Sequence, residues 1–343
     1  MLHEISIKNF GGVEDMTLSM VAYKDKKKDV LYRGNGKSNF LIPSDKKNGL
    51  NTLSFVSIHG DNGSGKHTFI YALHAFRSLV LMPDSDWNKY DLLFNSVKEN
   101  KSEIEISFKG NDGKEYCYRV EIIRSSKNIE GTNKVQYEDY VFDINEEFYI
   151  IPQSGKPRKK QVSKTSLTIN DKFLSGIKDI DVVKSMLNNI DFFGHSLPKY
   201  SDYPLKNCLF INLNDNNPSS AGTSRFNHLV HAITCAIEQK KILIIEAMDM
   251  GLHTNRLLAL IESFSRNNKS STQIIATMHT SSVMNYVRPD QIYLIDRFRD
   301  NDGFKTKLIS IAEFNLDRFS EHNNIEQHYL IGRFGGVPSL ITS

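Results

Sequence analysis

Lys66 ends a run, Gly60-Asp61-Asn62-Gly63-Ser64-Gly65-Lys66, that His67 and Thr68 continue, and its residue types and spacing suit the holding of a phosphate chain. Glycines let the backbone turn so that successive N–H groups converge on one anion. A helix starting just beyond them adds the positive end of its dipole. In the pattern G-x-x-x-x-G-K-[ST] the lysine reaches the outer phosphates and the residue after it puts a hydroxyl on Mg²⁺. Here that residue is His67, which has no hydroxyl. Thr68 has one, but a step of one residue along a helix turns it about 100° away.

Splitting a triphosphate also needs a metal anchor and a group that orients the attacking water. These ordinarily stand at the end of an apolar strand, as Asp followed by Glu. Ile242-Leu243-Ile244-Ile245-Glu246-Ala247 places Glu246 at the metal position, one methylene longer, and Ala247 at the base position. Ala247 can accept no proton, and positioned base catalysis is worth on the order of 10²–10⁴ in rate. Loss of turnover is therefore expected before loss of binding. Natural degeneration explains Ala247 better than an engineered replacement of Glu, because His67 and Glu246 would be odd engineering choices.

The elements that must position these residues are legible in the pattern. Leu53–His59 reads as a buried strand and Phe69–Phe76 as a helix, so the loop has the right flanks and a chance glycine run is the weaker reading. Leu2–Phe10 alternates apolar and polar, Gly11-Gly12 ends it, and Met16–Met20 alternates again, which predicts a hairpin. Residues 24–51 read as an exposed connection, and Gly36-Lys37-Ser38 within them as loop. A break is expected at Met82–Asp86. Ser102–Phe108 and Tyr116–Ile122 form a second hairpin around Asn111-Asp112-Gly113, and Tyr137–Ile151 offers more strand, so an antiparallel subdomain is expected over about 100–155. The basic run Lys156, Arg158, Lys159, Lys160, Lys164 reads as a solvated loop, with nucleic acid as the alternative partner for 156–164. Ile177–Ile190 reads as a helix.

Further on, Leu209–Leu213 reads as a strand and Asn214–Pro218 as a turn. Ser219–Arg225 then opens a helix over Phe226–Gln239. Ile242–Ile245 is a short, fully apolar run of the kind covered on both faces, Thr272–Thr277 reads as the next buried strand and Gln291–Ile295 as another strand, with a helix at Arg256–Phe264 between the first two. Strands alternating with helices predict an α/β domain with a mostly parallel sheet, whose ligands sit at the C-terminal strand ends. Glu246, Ala247 and His279 all fall at such ends.

Composition narrows the class. A net charge of +3 is too near neutral to imply nucleic acid by bulk electrostatics, and 39% hydrophobic residues is ordinary for a soluble globular chain. Cys117, Cys208 and Cys235 are few and scattered, which fits a reducing compartment. No apolar run approaches the roughly 20 residues of a membrane span, and the first residues begin no signal peptide. A cytoplasmic protein with no membrane contact is the expectation.

Taken as an ensemble, the sequence resembles the ABC-type AAA ATPases related to abortive-infection and overcoming-lysogenization-defect phage-defence proteins. The residues that carry the resemblance are Asn9-Phe10, the loop 60–68, Ser220-Ala221-Gly222-Thr223, Asp249-x-Gly251-Leu252-His253, Thr277-Met278-His279-Thr280-Ser281 and the tail Tyr329–Pro338. The resemblance implies an ABC-ATPase-like P-loop head that binds ATP with Mg²⁺ and pairs head to head, as a dimer or a higher oligomer. It implies that Ser220, Gly222 and Thr223 cap a nucleotide held by the other protomer's Lys66, that Glu246 carries the metal, and that His279 senses the γ-phosphate. His253 would serve the protomer contact or a helix start, and Asp249 the protomer contact.

The expected division is residues 1–99 and 206–343 as the two parts of the head, with 100–205 an inserted antiparallel and helical subdomain. Related nuclease-bearing proteins carry a further domain after the switch histidine, whereas about 64 residues follow His279. The expected role is thus an ATP-gated sensor or scaffold in anti-phage defence, acting on a separate effector chain, a nuclease or toxin. The alternative is a chromosome-maintenance or repair ATPase of the SMC-like class that grips DNA. Those insert a long coiled coil, and the roughly 150 residues between loop and signature show no sustained heptads.

Overall fold

The strictly alternating stretches of the sequence pair antiparallel, and the fully apolar ones pair parallel. A computed structural model describes residues 1–11, 13–23, 40–43, 51–81, 101–126, 140–151, 158–168, 173–194, 221–268, 271–300, 303–314 and 324–336. Outside them lie Gly36-Lys37-Ser38, the break at Met82–Asp86, Lys156, the strand expected at Leu209–Leu213 with its turn, Ser219 and Ser220, and Val337-Pro338.

In chain order the elements are β1 (Leu2–Phe10), β2 (Val13–Ser19), β3 (Leu41–Ile42), β4 (Thr52–Leu53), β5 (Phe55–Gly60), α1 (Lys66–Leu81), β6 (Lys101–Lys109), β7 (Glu115–Ser126), β8 (Tyr140–Ile151) and β9 (Arg158–Thr168). Then come α2 (Ile180–Asn188), β10 (Ile190–Phe193), α3 (Ala221–Gln239), β11 (Ile242–Ile245), α4 (Thr254–Asn267), β12 (Gln273–Thr277), β13 (Ile292–Asp300), β14 (Gly303–Ser310) and α5 (Ile325–Leu330). They divide into two compact units. One holds Met1–Ser19, His67–Asn188 and Phe298–Lys307; the other holds Met20–Lys66, Asn189–Arg297 and Leu308–Ser343.

In the first unit β2, β1, β6, β7, β8 and β9 follow one another antiparallel. Alternation puts Ile104, Ile106, Tyr118, Phe142, Ile144 and Phe148 on one buried face, and Phe76 of α1 lies 5.9 Å from the Tyr118 ring. Among these apolar neighbours Glu146 is fully buried, and it takes hydrogen bonds from Tyr118 Oη (2.6 Å), Ser175 Oγ (2.5 Å) and the Gly176 N–H (3.1 Å). Those donors offset the cost of burying a carboxylate. Both expected hairpins are present. The basic run is not the expected loop, since Arg158–Thr168 pairs along β8 from Ile150↔Arg158 to Val141↔Thr168. Half-buried Gln161, Ser163 and Thr165 alternate there with exposed Val162, Lys164 and Ser166, a period of two that the charges conceal in the sequence.

In the second unit β10, β11, β12, β5 and β13 form a parallel sheet in that order. β5, β11 and β12 are buried along their whole length. Phe55, Leu243, Ile245, Ala276 and Leu294 meet Leu229 and Ile233 of α3 and Leu257 and Ile261 of α4 in one core. Two boundaries differ from expectation. The helix expected through Ile190 stops at Asn188, and Ile190–Phe193 is a strand beside β11, disguised by Asp191, which pairs with Lys241 at 3.8 Å. α3 begins at Ala221, a turn earlier than the apolar spacing suggests. The architecture is α/β, with parallel strand pairing in the second unit and mainly antiparallel pairing in the first.

Candidate functional site

The glycine run leaves the C-terminal end of β5 and enters α1 at Lys66. Gly60 has φ +155°, and a Cβ there would stand 2.7 Å from Ile295 O and 2.8 Å from Ser64 Oγ, so only glycine fits. Gly63, at φ +74°, is the opposite case: its left-handed backbone favours glycine, yet no heavy atom lies within 4 Å of an added Cβ. The turn closes with Ser64 N donating to Asp61 O (3.2 Å) and Asn62 N to Asp61 Oδ1 (2.6 Å). Lys66 Nζ folds back to donate to Gly60 O at 2.6 Å and Asp61 O at 2.8 Å. Partial burial lowers its pKa, and the charges of Asp61 and Asp249 oppose that. Ser64 Oγ is buried with no hydrogen-bond partner. His67 is exposed, its ring 4.3 Å from that of Tyr71, and Thr68 is half-buried.

At the end of β11 the backbone reverses. Glu246 N donates to Phe193 O (2.8 Å), and Ala247, at φ +45°, is one of the described non-glycine residues in the left-handed region. Two bonds hold it there: Ala247 N donates to Thr277 Oγ1 (2.9 Å), and Arg225 Nη2 donates to Ala247 O (2.7 Å). Arg225 also lies 5.5 Å from the Phe193 ring centroid. Glu246 is buried, and a Cβ on Gly194 would come within 2.7 Å of its Oε2, so a residue without a side chain is needed beside that carboxylate.

Asp249 joins this turn to the end of β12. Its Oδ2 accepts from His279 N (2.8 Å), Thr280 N (2.7 Å) and Thr280 Oγ1 (2.9 Å), while Oδ1 is buried without a partner. The His279 ring is left exposed. Desolvation and then the charge of Lys66 lower its pKa, against Asp249 and Asp61. Behind the loop His59 is fully buried with neither ring nitrogen partnered, and burial pushes its pKa down to about 3, with Asp249 opposing and Lys66 and His279 assisting. Lys66, His279, Asp61 and Asp249 thus share one electrostatic neighbourhood.

The structure therefore brings Lys66 and His279 together and places Glu246 and Ala247 at the neighbouring strand end. Gly222 and Thr223 open α3 against the same turn. A Cβ on Gly222 would meet Gly251 O at 2.5 Å, and Arg256 Nη1 donates to Thr223 Oγ1 at 3.4 Å. His253 caps α4, its Nδ1 accepting from Asn255 N at 3.2 Å. Sequence reasoning missed Arg225, His59 and the hydrogen bonds that Asp249 accepts from residues 279 and 280. The signal for Asp249 was a carboxylate just beyond an apolar strand; nothing local marks the other two.

The residues fit a nucleotide. The loop offers open space at Gly63, a buried Ser64 hydroxyl without a partner and a lysine ammonium whose hydrogen bonds go to two carbonyls of its own turn. For Mg²⁺, no group of three or more His, Cys, Asp or Glu side chains gathers among the described residues. One carboxylate, that of Glu246, is still compatible with an ion held mainly by phosphates and water.

The family described as "AAA domain, putative AbiEii toxin, Type IV TA system" matches residues 55–285. No curated protein sequence matches the chain. Two similar solved structures are an SMC head domain from Thermotoga maritima and an SmcHead bound to the C-winged helix domain of ScpA. The first is 14% identical with a TM-score of 0.45, over 90% of this chain and 98% of that one. The second is 13% identical with a TM-score of 0.43, over 91% of this chain and 98% of that one.

Proposed function

Since the chain belongs to this AAA-domain family, we propose that it is an ATP-binding AAA/ABC-type ATPase subunit with degenerate catalytic positions, which binds nucleotide and hydrolyses it weakly or not at all. Its role is that of an ATP-gated sensor in anti-phage defence that controls a separate effector chain. The observation that carries the reading is a tight glycine turn, Gly60 to Lys66, beside a strand end where Ala247, which has no carboxylate, directly follows Glu246.

Within this reading the loop amides and Lys66 hold the phosphates. Bound ATP supplies a γ-phosphate whose presence His279 reads. Glu246 carries Mg²⁺ with altered coordination, because His67 offers no hydroxyl. Gly222 and Thr223 at the start of α3 face a second copy of the chain, with Ser220 part of the same signature in the sequence, so binding drives self-association. Residues 1–99 and 206–343 form the head and 100–205 the insertion. A cytoplasmic location accords with the described helices, none of which is long and apolar enough to cross a membrane.

The test joins binding to turnover. Titration calorimetry with ATP–Mg²⁺ is expected to show saturable binding that Lys66→Ala abolishes, while phosphate release stays near background. Brisk release with Ala247 in place would overturn the base assignment. A nucleotide that fails to bind at millimolar concentration would remove the function altogether. Sizing with and without ATP–Mg²⁺ separates a switch from a passive scaffold.

A further inference from the structure

His279 stands on a short segment gripped from two sides by carboxylates. Asp249 holds the backbone of residues 279 and 280, as described above. The next residues, Ser281–Asn285, form a 3-10 turn, and that turn is held by Glu326 of α5. Ser281 Oγ and Ser282 Oγ each donate to Glu326 Oε1 at 2.8 Å, and Asn285 Nδ2 donates to Oε2 at 3.1 Å. The contact is returned by Glu326 N, which donates to Asn285 Oδ1 at 3.3 Å.

α5 has six residues, too few for a helix to persist by itself in water. It is anchored by buried Ile325 and Tyr329 and by Asn324, whose side chain accepts from Gln327 N at 3.0 Å. Beyond it the chain runs to the other wall of the site. Tyr329 Oη donates to Gly336 O at 3.0 Å, and a Cβ on Gly336 (φ +68°) would stand 3.4 Å from Ile295 O. Ile295 O is also the atom that a Cβ on Gly60 would strike. The same C-terminal turn therefore touches the strand that backs the phosphate loop and the segment that carries His279.

Apolar burial holds α5 and the buried Val283 and Met284 in place, but it is non-directional and does not fix the polar side chains of Ser281, Ser282 and Asn285. Three donors converging on one carboxylate fix that segment's orientation, since charge-assisted hydrogen bonds are short and directional. We infer that the C-terminal turn 324–336 braces the site and that Glu326 is a positioning residue for His279, so that discrimination between a nucleoside triphosphate and a diphosphate depends on Glu326. The inference rests on the reading of His279 as a phosphate sensor.

The experiment measures ATP–Mg²⁺ and ADP–Mg²⁺ affinity by calorimetry on the full chain, for the parent protein, His279→Ala, Glu326→Ala and Glu326→Gln. The parent should prefer ATP. His279→Ala and Glu326→Ala should each cut that preference by about tenfold, the equivalent of roughly 1.4 kcal/mol. Glu326→Gln, which keeps an acceptor oxygen, should fall between, and it carries the test if the alanine variant does not fold. Equal weakening of both nucleotides, or an unchanged ratio in the Glu326 variants while His279→Ala loses the preference, overturns the inference and leaves the function standing. No preference in the parent, or a preference that survives His279→Ala, removes the sensor reading and the inference with it.

Discussion

Replacing Ala247 by Glu tests the proposal that position 247 is that of the catalytic base. The backbone cost of the change is small, because residue 247 already has φ +45° with a Cβ present, and a longer L side chain adds little to that strain. Its N–H is fixed by Thr277 Oγ1 and its carbonyl by Arg225, so the new side chain would start from a defined peptide. A positioned base contributes on the order of 10²–10⁴ in rate, and the lower figure, about 2.7 kcal/mol of barrier, is the expected gain for the single substitution. His67 still denies the metal its hydroxyl, so the double variant His67→Ser/Ala247→Glu should exceed the single one. The assay is phosphate release at saturating ATP–Mg²⁺, with binding measured in parallel. A double variant that binds ATP as tightly as the parent, yet releases phosphate no faster, refutes the assignment of position 247.

Stability should fall with acid more steeply than the carboxylates alone dictate. The folded-state pKa of His59 is about 3 and that of His74 about 4, both below the usual 6.5, so the unfolded chain takes up protons that the folded one does not. Each contributes stability above pH 6.5 that is lost by about 1.4 kcal/mol per pH unit as pH falls toward its folded value. Urea midpoints at pH 7.5 and 5.5 should converge in His59→Leu, and an unchanged pH slope in that variant would contradict the burial argument. Gly222→Ala drives a methyl into Gly251 O and should cost about 1–3 kcal/mol while displacing the start of α3. Sizing should then show ATP-driven self-association lost before ATP binding is. Asp249→Ala strips the acceptor from two backbone N–H groups and one hydroxyl, partly offset by removal of the unpartnered Oδ1. A net loss of roughly 2 kcal/mol by denaturant unfolding is expected, and a stabilised variant would show that the three bonds contribute nothing.

The sequence by itself determined the glycine turn at Gly60–Lys66, the two hairpins, and the parallel strands Ile242–Ile245 and Gln273–Thr277. Each of these is written in one local stretch of the chain: glycine where the backbone must turn left-handed or come close, a period of two where one sheet face is buried, and an unbroken apolar run where both are. It went astray where charge hid a period, as at Arg158–Thr168, and where a buried Asp191 interrupted a four-residue strand. Only the tertiary structure decided the rest. Asp249 meets residues 279 and 280 some 30 positions away, Arg225 reaches the Ala247 carbonyl 22 positions on, and Glu326 lies 45 positions from Ser281. A hydrogen bond between residues so far apart leaves no periodicity in the chain, since its partners are brought together by the packing of α3, α4 and α5 around the sheet rather than by the spacing of neighbours.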